Sequence, residues 1–183
     1  MAALVVDGGH ELDEALRRAA RAQRINLQQH RPSLEALRAA IRDYRELFRP
    51  QQAAQLARQR ALALEAMRTF AAFRPRLAGS LIHGDGPLDR VRLLLFCETP
   101  EQLMQDLGDR HIPWRDAEVT LHYSGGRRQN RPAVRFLAGE TTVELVILDP
   151  RSHSDPPRDP ITGGRLETLD ADQLARLAAA PGA

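Results

Sequence analysis

The residues of this chain best suited to chemistry lie between Gly79 and Arg92 and again at Glu144. Gly79-Ser80 closes a short run from Arg76 to Ser80 with two small residues suited to a strand-ending turn. A Gly/Asp/Pro loop carrying Asp85 and Asp89 follows, and then the apolar run Val91 to Cys97. Arg90 and Arg92 stand two residues apart, and residues i and i+2 of a strand point the same way. Two guanidinium groups on one face suit direct contact with phosphate oxygens. The same pair serves equally as a salt-bridged or solvated strand edge. Glu144 sits in a later apolar run, where Val143 and Leu145 point to the opposite face, so it shares its own face with Thr142 and Val146.

Other signals have plainer readings. His83, His111, His122 and His153 lack zinc-like spacing, and there is only one cysteine. His83 follows the Gly-Ser turn closely enough to contact an anion there. The run Gly125 to Arg128 reads either as an anion or nucleic-acid contact or as a solvated hairpin loop. No Gly-x-Ser-x-Gly elbow surrounds Ser80, which argues against a hydrolytic nucleophile. Cys97, at the end of an apolar run, is expected to pack as a small hydrophobe, and Trp114, after Pro113, to anchor a loop to the core.

Helices and strands must position these groups. The first 73 residues read as helical. Asp13 to Gln28 carries a thin apolar stripe of Leu12, Leu16, Ala19 and Ala20, which suggests loose attachment or a need for a partner. Ser33 caps a sharper amphipathic helix through Leu34, Leu37, Ile41, Tyr44, Leu47 and Phe48, ending at Pro50. A third helix spans Gln51 to Phe73, stopped by Pro75, and the short turn predicts that it packs antiparallel to the second. Beyond it the chain changes character. Strands are predicted at Arg76 to Ser80, Val91 to Cys97 and Glu118 to Tyr123, then at Ala133 to Leu137 and Thr142 to Leu148 in a hairpin about Gly139-Glu140. A helix from Thr99-Pro100 to Gly108 separates the second and third strands. Asp149 to Gly164 reads as an extended arm, and Asp170 to Ala179 as a closing helix. The order implies an α+β fold: a helical region over 1–73, then 74–183 with a mixed, largely antiparallel sheet, flanking helices, an arm and a helix.

Composition narrows the function classes. The chain has 183 residues, enough to bury roughly 70% of its unfolded surface. All 26 basic residues are arginine, yet the net charge is only +2, so there is no strong nucleic-acid footprint. Aromatics make up 4%, too few for a base-stacking surface. No apolar run approaches a membrane span, and no basic region precedes the apolar patch Ala2 to Val6. With a single cysteine, these features predict a cytoplasmic protein.

The order of elements resembles the polymerase-β-like nucleotidyltransferase superfamily. Its hallmark is an apolar residue, Gly, Gly or Ser, a spacer of about ten residues, and a strand reading Asp-x-Asp or Asp-x-Glu, with a third carboxylate on a later strand. Leu77-Ala78-Gly79-Ser80 matches the first half, and Val91 to Phe96 matches the position of the second. More closely, the chain looks like a group of uncharacterised bacterial proteins described as containing a nucleotidyltransferase domain. Their line reads Arg-Pro-x-Leu-Val-Gly-Ser, a short spacer, then Ser-Asp-Ile-Asn-Leu-x-Leu-Phe. Asp159 to Arg165 is similar to their Ser-Pro-Ile-Asp-Gly-Arg-Pro. The resemblance covers roughly Asp43 to Leu177.

In that superfamily the carboxylates hold magnesium, which clamps the nucleotide phosphates. Aligned on Phe96, the two carboxylate positions of this chain are Arg90 and Arg92; shifted by one they are Asp89 and Val91. In neither register do two carboxylates survive. The resemblance places the third at Glu144, and an ion pair of Glu144 with Arg90 or Arg92 is expected in place of a metal site. The main expectation is therefore a degenerate nucleotidyltransferase, a pseudoenzyme needing no cofactor, with nucleotide or anion binding at Gly79, Ser80, Arg90 and Arg92. One alternative is an active enzyme in which Asp85 or Asp89 joins Glu144 to hold magnesium. Another is a non-enzymatic module that docks a protein partner through the N-terminal helices.

Overall fold

The computed structural model describes residues 1–27, 29–30 and 32–179, except for the side chain of His153. Helices α1 (Ala2–Val6), α2 (Leu12–Ala22), α3 (Leu34–Phe48) and α4 (Gln51–Thr69) precede strands β1 (Arg76–Ala78) and β2 (Arg90–Phe96). Helix α5 (Pro100–Asp109), strands β3 (Arg115–His122), β4 (Arg128–Ala138) and β5 (Thr141–Leu148), a short β6 (Thr168–Leu169) and α6 (Ala171–Ala179) complete the chain. The fold is α+β, as the order of elements predicts. The sheet runs β3-β4-β5-β2-β1-β6, with β2 and β5 parallel and the other pairs antiparallel.

Strand alternation divides the buried residues between two faces. Leu77, Val91, Leu93, Leu95, Val143 and Leu145 pack with Ala63 and Met67 of α4, Phe70 just after it, Leu103 and Leu107 of α5, and Leu174 of α6. Helix α4, within the helical region expected over 1–73, is thus a layer of the sheet's own core. The opposite face carries Ala78, Leu94, Val119, Leu121, Ala133, Val146 and Leu148.

A third cluster joins Val5 and Val6 of α1, Leu12, Ala15 and Leu16 of α2, Leu37 and Ile41 of α3, and Ile161 of the arm. The thin stripe of α2 is therefore covered within the chain, and the loose attachment suggested by the sequence does not occur. Helix α2 ends at Ala22, while Gln28, where the expected helix stops, lies outside the described residues. Helices α3 and α4 do not pack as the expected antiparallel pair: α3 packs against α1, and α4 against α6, β1 and β2. The sheet and α6 offer α4 more apolar surface than α3 does, and packing overrides the short turn. Among the described residues no helix is long and apolar enough to cross a membrane.

Candidate functional site

Three adjacent strands place an ionic row across the second sheet face. In the parallel β2–β5 pair Arg92 stands opposite Glu144, and in the antiparallel β4–β5 pair Arg135 does. The Glu144 side chain is 0% exposed. Its Oε2 accepts from Arg92 Nε at 2.5 Å, and its Oε1 accepts from Arg135 Nε at 2.7 Å, with Arg135 Nη2 at 2.6 Å. Burial alone would raise the Glu144 carboxyl, but the two guanidinium groups outweigh it and hold the group below its usual range. Both carboxylate oxygens are thus committed.

Above this row lies a cavity of about 410 Å³. Its floor includes Arg92, Leu94, Val119, Leu121 and Arg135, and one wall is the Gly79-Ser80 bend with His83 and Asp85. The start of α2 (Glu11, Leu12), Leu34 and Arg38 of α3, and the arm residues Arg158 to Ile161 with Leu166 and Glu167 also line it. The Gly-Ser bend and the sheet strands therefore border one cavity.

The loop after the bend is held in shape from behind. Gly79 has φ +89°, which an L side chain rarely adopts, and so ends β1 two residues earlier than the sequence predicts. Ser80 Oγ donates to the Pro87 carbonyl at 2.5 Å, and a Cβ on Gly86 would lie 2.6 Å from Ser80 Cβ. Arg60 of α4, 4% exposed, donates to the Leu81 and Ile82 carbonyls at 2.9 and 3.0 Å. Arg45 of α3 donates to the Gly84 and Gly86 carbonyls, and Gln55 to that of Leu88.

The residues singled out in the sequence meet different fates. Gly79, Ser80, Arg92 and Asp85 line the cavity, while Arg90, at the first position of β2, lies outside its lining and pairs with Asp89 at 3.3 Å. Of the two ion pairs expected for Glu144, Arg92 forms one. Asp85 accepts from Arg38 at 2.8 Å. Asp85, Asp89 and Glu144 are each engaged by a different arginine, and among the described residues no three His, Cys, Asp or Glu side chains are grouped to hold a metal ion. His83 Nε2 is 2.7 Å from Glu167 Oε2, tying the loop to the arm. In the Gly125 to Arg128 run, Arg127 bonds Asp155 and Ser124. Cys97 is buried, and burial pushes its thiol up; Trp114 packs against the main core.

Four contributors escape the sequence reading. Arg135 was legible: a two-residue turn at Gly139-Glu140 pairs Ala138 with Thr141, and continuing the register pairs Arg135 with Glu144. Nothing in the local pattern marks Arg60 or Arg45, whose partners are loop carbonyls on another part of the chain. Glu11, the N-cap residue of α2, places Oε1 3.9 Å from Arg92 Nη2. Burial raises its carboxyl above the usual range, against the pull of Arg92 and Arg90. Comparison with protein-family models, with curated proteins and with solved structures finds no match to this chain.

Proposed function

We propose that this chain is a nucleotidyltransferase-fold protein in which metal-dependent transfer has given way to metal-independent binding of a nucleotide or another anion beside the Gly-Ser bend. One observation carries the reading: both oxygens of Glu144 are taken by Arg92 and Arg135, where a metal-dependent site needs free carboxylates. Guanidinium groups at the floor supply fixed positive charge and planar forks for phosphate oxygens, the service a metal would otherwise provide. The Gly79-Ser80 bend borders the same cavity as Arg92 and Arg135, and a bend of small residues suits close approach of a phosphate.

Titration with nucleoside phosphates, with and without magnesium, tests this. Binding is expected without the metal, with no incorporation of labelled nucleotide into any acceptor. Magnesium-dependent incorporation that disappears in Glu144→Ala would overturn it and favour the reading with Asp85 or Asp89. The docking alternative draws no support from α2, whose apolar residues are already buried.

A further inference from the structure

Four arginines line the cleft: Arg92 and Arg135 at the floor, Arg38 at the rim, and Arg158 of the arm, whose charge helps hold the Asp155 carboxyl down. At the floor, Arg92 and Arg135 share the buried Glu144 carboxylate, and Glu11 lies 3.9 Å from Arg92, so a ligand phosphate takes the guanidinium pair in competition with Glu11. At the rim, Arg38 is already shared between Asp85 at 2.8 Å and Glu167 at 3.6 Å. Along the whole lining, carboxylates outnumber guanidinium groups. The two floor guanidinium groups converge on one carboxylate and are the paired seat offered to a ligand anion, and charge extending beyond them meets acid.

Glu11 sits beside that seat. Its Oε1 lies 3.9 Å from Arg92 Nη2, and its Oε2 would lie 3.5 Å from a Cβ on Gly86, so it overhangs the floor between β2 and the loop. Its backbone is anchored, because the next residue, Leu12, with Ala15 and Leu16, is buried against Leu37, Ile41 and Ile161. Its side chain makes no cap bond to α2, so no helix role accounts for its position. A carboxylate there accepts from ligand hydroxyls and repels a second phosphate. Leu34, Ile82, Leu94 and Leu166 give the body of a small ligand apolar contact, in a volume typical of small-molecule sites.

Resting on the anion-binding reading above, we propose that Glu11 limits this cleft to ligands bearing one phosphate on a hydroxylated body, a nucleoside or sugar monophosphate, and rejects triphosphates. The charge layout differs from that of a triphosphate site, where fixed cations and magnesium offset about four negative charges.

The test uses the full chain in metal-free buffer and calorimetric titration with AMP, glucose 6-phosphate, inorganic phosphate and ATP. One of the two esters is expected to bind at least about tenfold tighter than ATP, and tighter than inorganic phosphate. Tighter AMP identifies a nucleoside ligand and tighter glucose 6-phosphate a sugar; either supports the proposal. Glu11→Gln, checked for unchanged thermal unfolding, is expected to narrow the gap to ATP by about tenfold. ATP binding as tightly as the esters, in a manner lost in Arg135→Ala, would overturn the role of Glu11 and leave anion binding in the cleft intact. So would a ratio that Glu11→Gln leaves unmoved. If none of the four compounds binds, both readings fall.

Discussion

Arg92 and Glu144 face each other across the parallel β2–β5 pair, and the guanidinium Nε of one donates to the fully buried carboxylate of the other. With Arg135 on the other side, the row is a charge triad spanning three strands. Desolvation of Glu144 is tolerated only because both oxygens find charged donors. Removing the carboxylate strands two arginines; removing both arginines strands a buried anion.

Glu144→Ala is accordingly expected to destabilise the fold by about 3 kcal/mol, the usual scale for breaking a buried ion pair. Replacing all three members with apolar residues of similar size, Glu144→Leu with Arg92→Met and Arg135→Leu, is expected to recover most of that loss while abolishing phosphate binding. Urea unfolding of the two variants beside the parent measures both effects. A triple variant no more stable than the single one would mean that the row organises the sheet rather than merely occupying it.

The Glu144 carboxyl also gives the protein a defined acid sensitivity. Its folded-state value lies below that of the unfolded chain, because Arg92 and Arg135 outweigh burial. Its contribution is therefore complete above the ordinary glutamate range and is lost as pH falls through the depressed folded value. Glu144→Gln cannot titrate, so the stability gap between it and the parent is expected to be widest near neutrality and to shrink toward pH 3. Denaturant midpoints collected across that interval read the gap directly. A gap independent of pH would show that the carboxyl keeps its proton state through folding.

The fold was more legible than the site, for physical reasons. Ser33, which caps α3 by accepting from the Ala36 N–H at 3.1 Å, and Pro100 at the start of α5 are local signals that tertiary packing did not override. Strand β4 begins at Arg128 rather than Ala133 because pairing with β3 satisfies the backbone of Gln129, Asn130 and Arg131, whatever their polarity. The two-residue β6 leaves too short a pattern to read. At the site, Arg92 and Glu144 were identified from their own strand, and the hairpin register adds Arg135. Arg60 and Arg38 reach the loop from 21 and 47 residues before their partners Leu81 and Asp85, Glu11 lies farther still from Arg92, and no periodicity encodes such contacts.

The N-terminal helices share a buried apolar cluster that is expected to contribute to stability. Leu16 is 7% exposed and packs in the cluster that joins α1, α2, α3 and Ile161. Leu16→Ala is expected to cost about 3 kcal/mol, as large-to-small changes at buried leucines do. Its thermal midpoint is expected to fall by several degrees at any protein concentration. A parent protein whose helix content rises steeply with concentration would instead revive the docking alternative.

Arg60 separates the shape of the loop from the chemistry of the cleft. Its Nε and Nη2 hold two successive carbonyls, Leu81 and Ile82, from beneath, and neither nitrogen faces the cavity. Arg60→Ala leaves both carbonyls without their charged donor and opens space behind the loop. A loss of about 3 kcal/mol is expected, since hydrogen bonds from charged donors are the stronger kind. Arg60→Lys is expected to recover little, because a single ammonium cannot reproduce a fork that spans two carbonyls. Hydrogen exchange resolves the local effect: amides from Leu81 to Leu88 should lose protection in Arg60→Ala before those of β2 and β5. Uniform loss across the sheet would mean that Arg60 supports the core as a whole, and that the loop takes its shape from Ser80, Gly86 and Arg45 alone.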